Sequence, residues 1–238
     1  MLKIAHRGAS AVAPENTLAA FRLAAEMGAD AIETDLRLTS DGAVVAIHDE
    51  QLSRTTNGRG LVAATTLAAI RGLEAGRELP LKARAKFAVQ RVPTMDEVLA
   101  LARRLSVGCY LEIKASREGI VERAVVEALR KQGASRHVVI SFDEEILRSV
   151  RETEPAVTIG LLTEQRGLRG IARAEELGAR EVLQRGDRVN EKFVMTARAK
   201  GLSVVVWTVD DLRRMRALAK MGVAGIISNR MERLVKVG

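Results

Sequence analysis

Short β-rich apolar runs alternate with longer amphipathic stretches from one end of this chain to the other, and nothing else in the sequence constrains the fold as strongly. Parallel strands need a crossover of a dozen or more residues between them, usually a helix, so this rhythm reads as repeated βα units. The apolar runs fall at Leu2 to His6, Ala31 to Asp35, Cys109 to Ile113, Val138 to Ser141, Thr158 to Leu162, Glu181 to Gln184, Ser203 to Thr208 and Gly225 to Ser228. Helical patterns lie near 15–27, 95–105, 118–132, 143–153, 167–177, 190–200, 210–220 and 230–236, and Thr94 with Glu97 forms a capping box for the second. Eight units in 238 residues predict a single α/β domain over 1–238, a closed (β/α)8 TIM barrel. An open doubly wound sheet is the alternative, but no Gly-x-Gly-x-x-Gly follows the first strand.

One segment breaks the rhythm. Residues of about 37–93 separate the second strand from its helix, which is too long for an ordinary βα loop and predicts a hairpin and loop insertion above the barrel mouth. Asp41-Gly42 between two alternating runs is a two-residue hairpin signal. With that pair as the turn, Ser40 faces Ala43 and His48 faces Asp35, so Glu33, Asp35 and His48 point to one side. The remainder of the insertion reads as a loop-rich cap. Its Lys82, Arg84 and Lys86 either reach toward an anion or solvate a loop.

Active sites of such barrels lie at the C-terminal strand ends, which makes the residues there candidates. They are His6 and Arg7, Glu33 and Asp35, Glu112 and Lys114, Ser141, Gln184, Trp207 and Asn229. Of only three histidines, His6 and His48 fall at this mouth, whereas His137 begins a strand and belongs to the opposite end. Three converging carboxylates, Glu33, Asp35 and Glu112, are costly without a hard divalent cation, and oxygen-only ligation selects magnesium or calcium (Mg²⁺ or Ca²⁺) over zinc. Arg7 offers a planar fork for a phosphate and Lys114 a point charge on the face of Glu112. Two imidazoles beside them supply a general acid and a general base for displacement at phosphorus. Acyl transfer fits less well, because neither a nucleophile elbow nor a Ser-His-Asp set is present.

Composition narrows the setting. No apolar run approaches the roughly 20 residues that span a bilayer, and no leader pattern precedes His6, so a cytoplasmic enzyme without stable membrane insertion is expected. The formal charge of +8 favours anionic partners, but aromatics are 3% and basic residues are spread over every helical pattern. A small-molecule phosphodiester rather than nucleic acid is the expected partner. The lone Cys109 reads as a core residue. Oligomeric state is not encoded in any feature found.

His6-Arg7-Gly8, Pro14-Glu15-Asn16-Thr17, Glu33-x-Asp35, His48-Asp49, Leu52-x-Arg54-Thr55-Thr56-x-Gly58, Val92-Pro93-Thr94, Leu111-Glu112-Ile113-Lys114, Ser141-Phe142, Trp207-Thr208-Val209 and Gly222-Val223-x-Gly225-Ile226-Ile227 together resemble, in order, the motifs of the glycerophosphodiester phosphodiesterases. The resemblance implies a TIM barrel with an insertion and metal-dependent hydrolysis of a glycerophosphodiester to glycerol 3-phosphate and an alcohol, a step in lipid and glycerol metabolism. It implies metal ligands Glu33, Asp35 and Glu112, an acid–base pair His6 and His48, and phosphate contacts Arg7 and Lys114. Glu15 and Asn16 become supporting residues, with Asn16 equally readable as a helix cap. Trp207 becomes an aromatic wall of the substrate pocket, or else core. Water or a glycerol hydroxyl serves as nucleophile.

Two departures stand out. After the last strand the family usually reads Ile-Ile-Thr-Asp-x-Pro where this chain has Ile227-Ser228-Asn229-Arg230-Met231, and its members often carry Asn after Trp-Thr-Val where this chain has Asp210. Both are expected to bear on headgroup or glycerol preference. Two further readings remain: a related barrel phosphodiesterase acting on lysophospholipids in the manner of a phospholipase D, for which Leu61-Val62-Ala63-Ala64 offers a faint apolar collar, and a non-catalytic phosphate-binding barrel.

Overall fold

The computed structural model describes residues 1–133 and 136–237. β1 (Leu2–His6) and β2 (Ala31–Leu38) are parallel neighbours, β3 (Val44–Ala46) folds back antiparallel on the outer end of β2, and β4 (Gly108–Ile113) takes up the ring on the far side of β2. β5 (His137–Ser141), β6 (Thr158–Thr163), β7 (Glu181–Arg185), β8 (Ser203–Trp207) and β9 (Gly225–Ser228) follow in order, and β9 closes on β1. Eight parallel strands thus form the barrel that the alternation predicts. α1 (Leu18–Glu26) follows β1, and α2 (Leu67–Gly72) and α3 (Leu81–Arg84) lie in the insertion. α4 (Met95–Leu105), α5 (Ile120–Gln132), α6 (Glu144–Thr153), α7 (Arg169–Glu176), α8 (Glu191–Ala199), α9 (Leu212–Lys220) and α10 (Met231–Leu234) follow the remaining barrel strands.

Burial sorts the apolar residues into concentric layers. Ile4, Tyr110, Ile140, Leu162, Leu183, Val205 and Ile227 fill the lumen, so the barrel is a packed core with a solid floor beneath its mouth. Phe21, Val98, Leu129, Leu147, Val194 and Leu218 pack between sheet and helices, and Cys109 is buried among them. A third cluster, Val45, Ile47, Leu52, Val62, Ile70, Ala75 and Val92, gives the insertion a small core of its own. The capping box predicted at Thr94 and Glu97 is formed in full. Among the described residues no helix is long and apolar enough to cross a membrane.

Two expectations need correction. The first helix starts at Leu18 with Thr17 as its cap, because Asn16 has φ +53° and cannot join it. The hairpin turns through three residues, not two: Thr39 N–H donates to Ala43 C=O, and Gly42, at φ +85°, supplies the left-handed step that such loops require. The register therefore shifts by one, with Leu36 opposite Ala46, and Ile47 rather than His48 bonds to Asp35. A one-residue slip would place His48 on the wrong face. It reaches the mouth because the strand ends at Ala46 and the chain bends through His48 and Asp49.

Candidate active site

The register of three adjacent strands assembles the polar centre. His6 stands opposite Glu33, and Asp35 opposite Glu112, so the carboxylates of Glu33, Asp35 and Glu112 each bring an oxygen within 4.8 Å of the others. All three are buried. The turn after β1 is held in left-handed backbone at Arg7 (φ +55°) and Gly8 (φ +78°). A Cβ on Gly8 would lie 2.6 Å from the carbonyl carbon of Ala20, so only glycine lets the turn sit on α1. The strained turn aims the Arg7 N–H at Glu33 Oε2 (3.0 Å) and its guanidinium at Asp35 (3.1 Å) and Glu15 (3.0 Å). Asn16 locks the arrangement by donating to Asp35 Oδ2 (2.7 Å), accepting from the Thr34 hydroxyl (2.8 Å) and donating its N–H to Arg7 C=O. Lys114 lies 3.0 Å from Asp35 and 2.7 Å from Glu112.

Each histidine is tied back through Nδ1. His48 Nδ1 donates to the carboxylate of Asp49 (2.6 Å), which Arg54 grips in turn (2.5 Å) while also reaching Glu15 (2.7 Å). His6 Nδ1 lies 2.7 Å from Asn229 Oδ1. Both rings are left with Nε2 for the cavity, and His6 Nε2 stands 3.9 Å from Glu33.

Charge in this space is unevenly shared. Burial, then the neighbouring charges of Asp35 and Glu112, push the Glu33 carboxyl well above the usual carboxylate range. Burial and Asp35 push Glu112 up to about 7. Burial works against charge on Asp35 too, yet Arg7 and Lys114 outweigh it and hold that carboxyl below its ordinary value. Burial, reinforced by Arg7, lowers His6 to about 4, and burial also lowers His48. Asp35 is thus held anionic between two carboxyls that resist ionisation, and one oxygen from each could together hold a cation.

Above the centre opens a cavity of about 270 Å³ with two unlike walls. His6, Arg7, Glu33, His48, Glu112 and Lys114 make one. Ile140, Phe142, Leu162, Glu164, Trp207 and Ile227 make the other, where Phe142 meets Trp207 edge to face at 5.3 Å.

Residues 6–233 match the model of the glycerophosphoryl diester phosphodiesterase family. The chain belongs to that family. It is 38% identical to a glycerophosphodiester phosphodiesterase of Caldanaerobacter subterraneus over 99% of this chain and 97% of that one, and 33% identical to one from Bacillus subtilis over 96% and 83%. Its fold matches the structure of an Oleispira antarctica phosphodiesterase in complex with the product sn-glycerol-3-phosphate, with TM-score 0.90 and 28% identity over 100% of this chain and 96% of that chain.

In this phosphodiesterase His6, Arg7, Glu33, His48, Glu112 and Lys114 line one cavity, fully buried Asp35 joins Glu33 and Glu112 in the carboxylate cluster, and Glu15 and Asn16 hydrogen-bond Arg7 and Asp35. Asn16 hydrogen-bonds Asp35 and Thr34 and does not cap α1, whose cap is Thr17. Trp207 is half-buried: it packs on the lumen and lines the cavity, with Nε1–H donating to Leu183 C=O. Ser141 and Gln184 serve turns instead, Ser141 donating to Ile113 C=O and Gln184 to Gln165 C=O. Lys82, Arg84 and Lys86 do not line the mouth. Asn229 and Asp210, expected to bear on the headgroup, stand behind His6. Glu164, Asp49 and Arg54 received no role in the sequence reading. Glu164 was within reach of the strand-end rule, since it follows β6 directly; the ring Asp49–Arg54–Glu15 joins distant segments and had no local signal.

Proposed function

We propose that this enzyme hydrolyses glycerophosphodiesters to glycerol 3-phosphate and an alcohol by metal-dependent, two-histidine catalysis at the His6–His48 mouth. The observation that carries the reading is the convergence of two imidazoles, each tied back through Nδ1, on a cluster of three buried carboxylates. The donor set fits a hard divalent cation: it is all oxygen, it is buried, and Glu33 Oε1 has no hydrogen-bond partner among the described residues. Glu33, Asp35 and Glu112 would hold Mg²⁺ or Ca²⁺. When bound, the cation supplies electrostatic stabilisation to the charge that develops on a phosphoryl oxygen. The chain's own groups do the rest. Arg7 and Lys114 give the cavity wall positive charge toward a phosphate. One imidazole takes the nucleophile's proton, and the other donates a proton to the alkoxide as the P–O bond breaks. The packed lumen closes the site from below, so the substrate must lie across the mouth, between the charged wall and the wall of Phe142 and Trp207.

The product bound to the Oleispira phosphodiesterase supports glycerol 3-phosphate as the retained product. The test is a panel of glycerophosphocholine, glycerophosphoethanolamine, glycerophosphoinositol and lysophosphatidylcholine, assayed with EDTA and after return of each metal. Turnover of the first three that EDTA abolishes and Mg²⁺ or Ca²⁺ restores is expected. Turnover indifferent to EDTA would remove the carboxylate centre from the mechanism.

A specific observation favours a second reading. A hollow of about 190 Å³ beside the insertion is lined by Leu38, Leu61, Val62, Ala63 and Ala115 together with Arg37, Glu50 and Arg117, and Ala115 is the residue next to Lys114 in the chain. An acyl chain would lie there in a lysophospholipid substrate. Preference for lysophosphatidylcholine over glycerophosphocholine in the same panel would select it.

A further inference from the structure

The back of His6 is built more elaborately than the back of His48. Asp210, just beyond β8, accepts the Asn229 N–H (2.9 Å) and the Ser228 hydroxyl (2.9 Å) on Oδ1, and the Asn229 side-chain amide (2.8 Å) on Oδ2. A carboxylate only accepts, so it dictates which end of the Asn229 amide faces it: Nδ2. Oδ1 of Asn229 then faces the other way, where His6 Nδ1 (2.7 Å) and the Ser10 hydroxyl (2.9 Å) converge on it. An amide oxygen also only accepts, so the hydrogen between Asn229 and His6 must sit on Nδ1. The free lone pair of the ring is then on Nε2, the nitrogen that faces Glu33 and the cavity.

We propose that Asp210 is a positioning residue: acting through Asn229, it holds His6 in the Nδ1–H tautomer and so presents Nε2 to the reacting phosphodiester. Asp210 touches neither the cavity wall nor the carboxylate cluster. Its influence travels only through the amide it orients. Relative to the family pattern given above, carboxylate and amide have exchanged places between positions 210 and 229, and the pair still matches one donor to one acceptor. The exchange explains why neither departure needs to alter substrate preference: both side chains are spent on His6. The catalytic half of the proposal rests on the acid–base role given to His6 above; the tautomer does not.

With only three histidines in the chain, nitrogen-15 labelling of histidine and long-range proton–nitrogen correlation spectra resolve each ring, and the His6→Ala spectrum assigns His6. At mildly alkaline pH the wild-type protein should show His6 protonated on Nδ1. In Asp210→Asn the amide of Asn229 loses its fixed acceptor, and the His6 signals should move toward the Nε2–H form. kcat should fall about ten- to a hundred-fold, as for loss of other groups that orient a catalytic side chain, with KM changed less than about three-fold. The exchange variant Asp210→Asn/Asn229→Asp should restore the Nδ1–H form and most of kcat. If Asp210→Asn does not fold, Asp210→Ser carries the same comparison. A wild-type His6 protonated on Nε2, or a tautomer unmoved in both single variants, overturns the proposal. A tautomer that moves with kcat unchanged upholds Asp210's hold on His6 and counts instead against proton transfer by His6.

Discussion

The two ends of this barrel hold buried carboxyl groups with nearly the same abnormal affinity for protons, and the candidate site lies at one of them. At the mouth, burial and Asp35 push Glu112 up to about 7. At the floor, burial alone pushes Glu181 to about 7, opposed only by the Tyr110 hydroxyl that donates to it across the lumen (3.2 Å). The difference is in the surroundings. Glu112 opens on a cavity, shares its space with two more carboxylates, and has cations and imidazoles around it. Glu181 meets one phenol, and its second oxygen has no hydrogen-bond partner among the described residues. A shifted carboxyl therefore marks burial; convergence of unlike groups on an open cavity marks function.

The sharpest way to break this comparison is to mutate both ends. His6→Ala and His48→Ala should each lower kcat by about a thousand-fold or more, within the range known for loss of a general acid or base, and leave the melting temperature near that of the wild type. Glu181→Gln should leave kcat within about two-fold. Loss of activity in Glu181→Gln with intact folding would make the floor part of the machinery.

Next in size is the effect of metal. Asp35→Asn should weaken Mg²⁺ or Ca²⁺ binding by more than about a hundred-fold by isothermal titration, while Glu181→Gln binds as the wild type does. Equal weakening in both would erase the distinction between the ends.

A smaller effect appears in stability against pH. A carboxyl whose pKa is raised on folding binds more protons in the folded state, so its contribution to stability is present below its unfolded value near 4.5 and is lost as pH climbs through about 7. His6 and His48, lowered on folding, act in the opposite sense as pH falls below about 6.5. The two trends offset each other at mildly acidic pH. Across the whole window from pH of about 4.5 to above 7 the metal-free protein should lose on the order of 3 kcal/mol from Glu112, of which less than about 1 kcal/mol is left to be lost above pH of about 6.5, where the histidines no longer offset it. Added metal should remove that loss, because ionised Glu112 then has a cation to face. The share of Glu181 should persist with metal and vanish in Glu181→Gln. Thermal melts across pH, with and without Mg²⁺, read both.

The smallest effect belongs to Tyr110→Phe, which deletes one hydrogen bond at the floor. It should cost about 1 kcal/mol and raise the proton affinity of Glu181 further, with kcat unchanged.

Legibility in the sequence followed the range of the interactions. Strand and helix positions were readable because apolar periodicity is local, and Thr94 with Glu97 spelled out its own cap. His6, Glu33, Asp35 and Glu112 were readable because parallel strands in register put their C-terminal ends on one face. The hairpin was misjudged by one residue, since Asp41-Gly42 fits a two-residue turn and equally the last two positions of the three-residue loop that formed. His48 was correctly placed at the mouth although the ladder that pointed there does not extend to it. The back of His6 was not readable at all: Asp210, Ser228 and Asn229 lie on two strand ends, and no local pattern tells that their side chains face each other rather than the substrate.

The placement of His48 on the insertion, outside the ring of eight strands, has a practical consequence for anyone redesigning this enzyme. On the mechanism proposed above, the excursion after β2 holds a reacting group, with Asp49 and Arg54 to steady it, so trimming it should abolish turnover. The opposite wall, where Phe142, Glu164 and Trp207 stand on the ends of three other strands, carries no proton and no carboxylate of the centre. If the proposed mechanism holds, variation there should change which alcohol is accepted while the reaction itself stays intact, so libraries for new substrates belong on the loops after β5, β6 and β8.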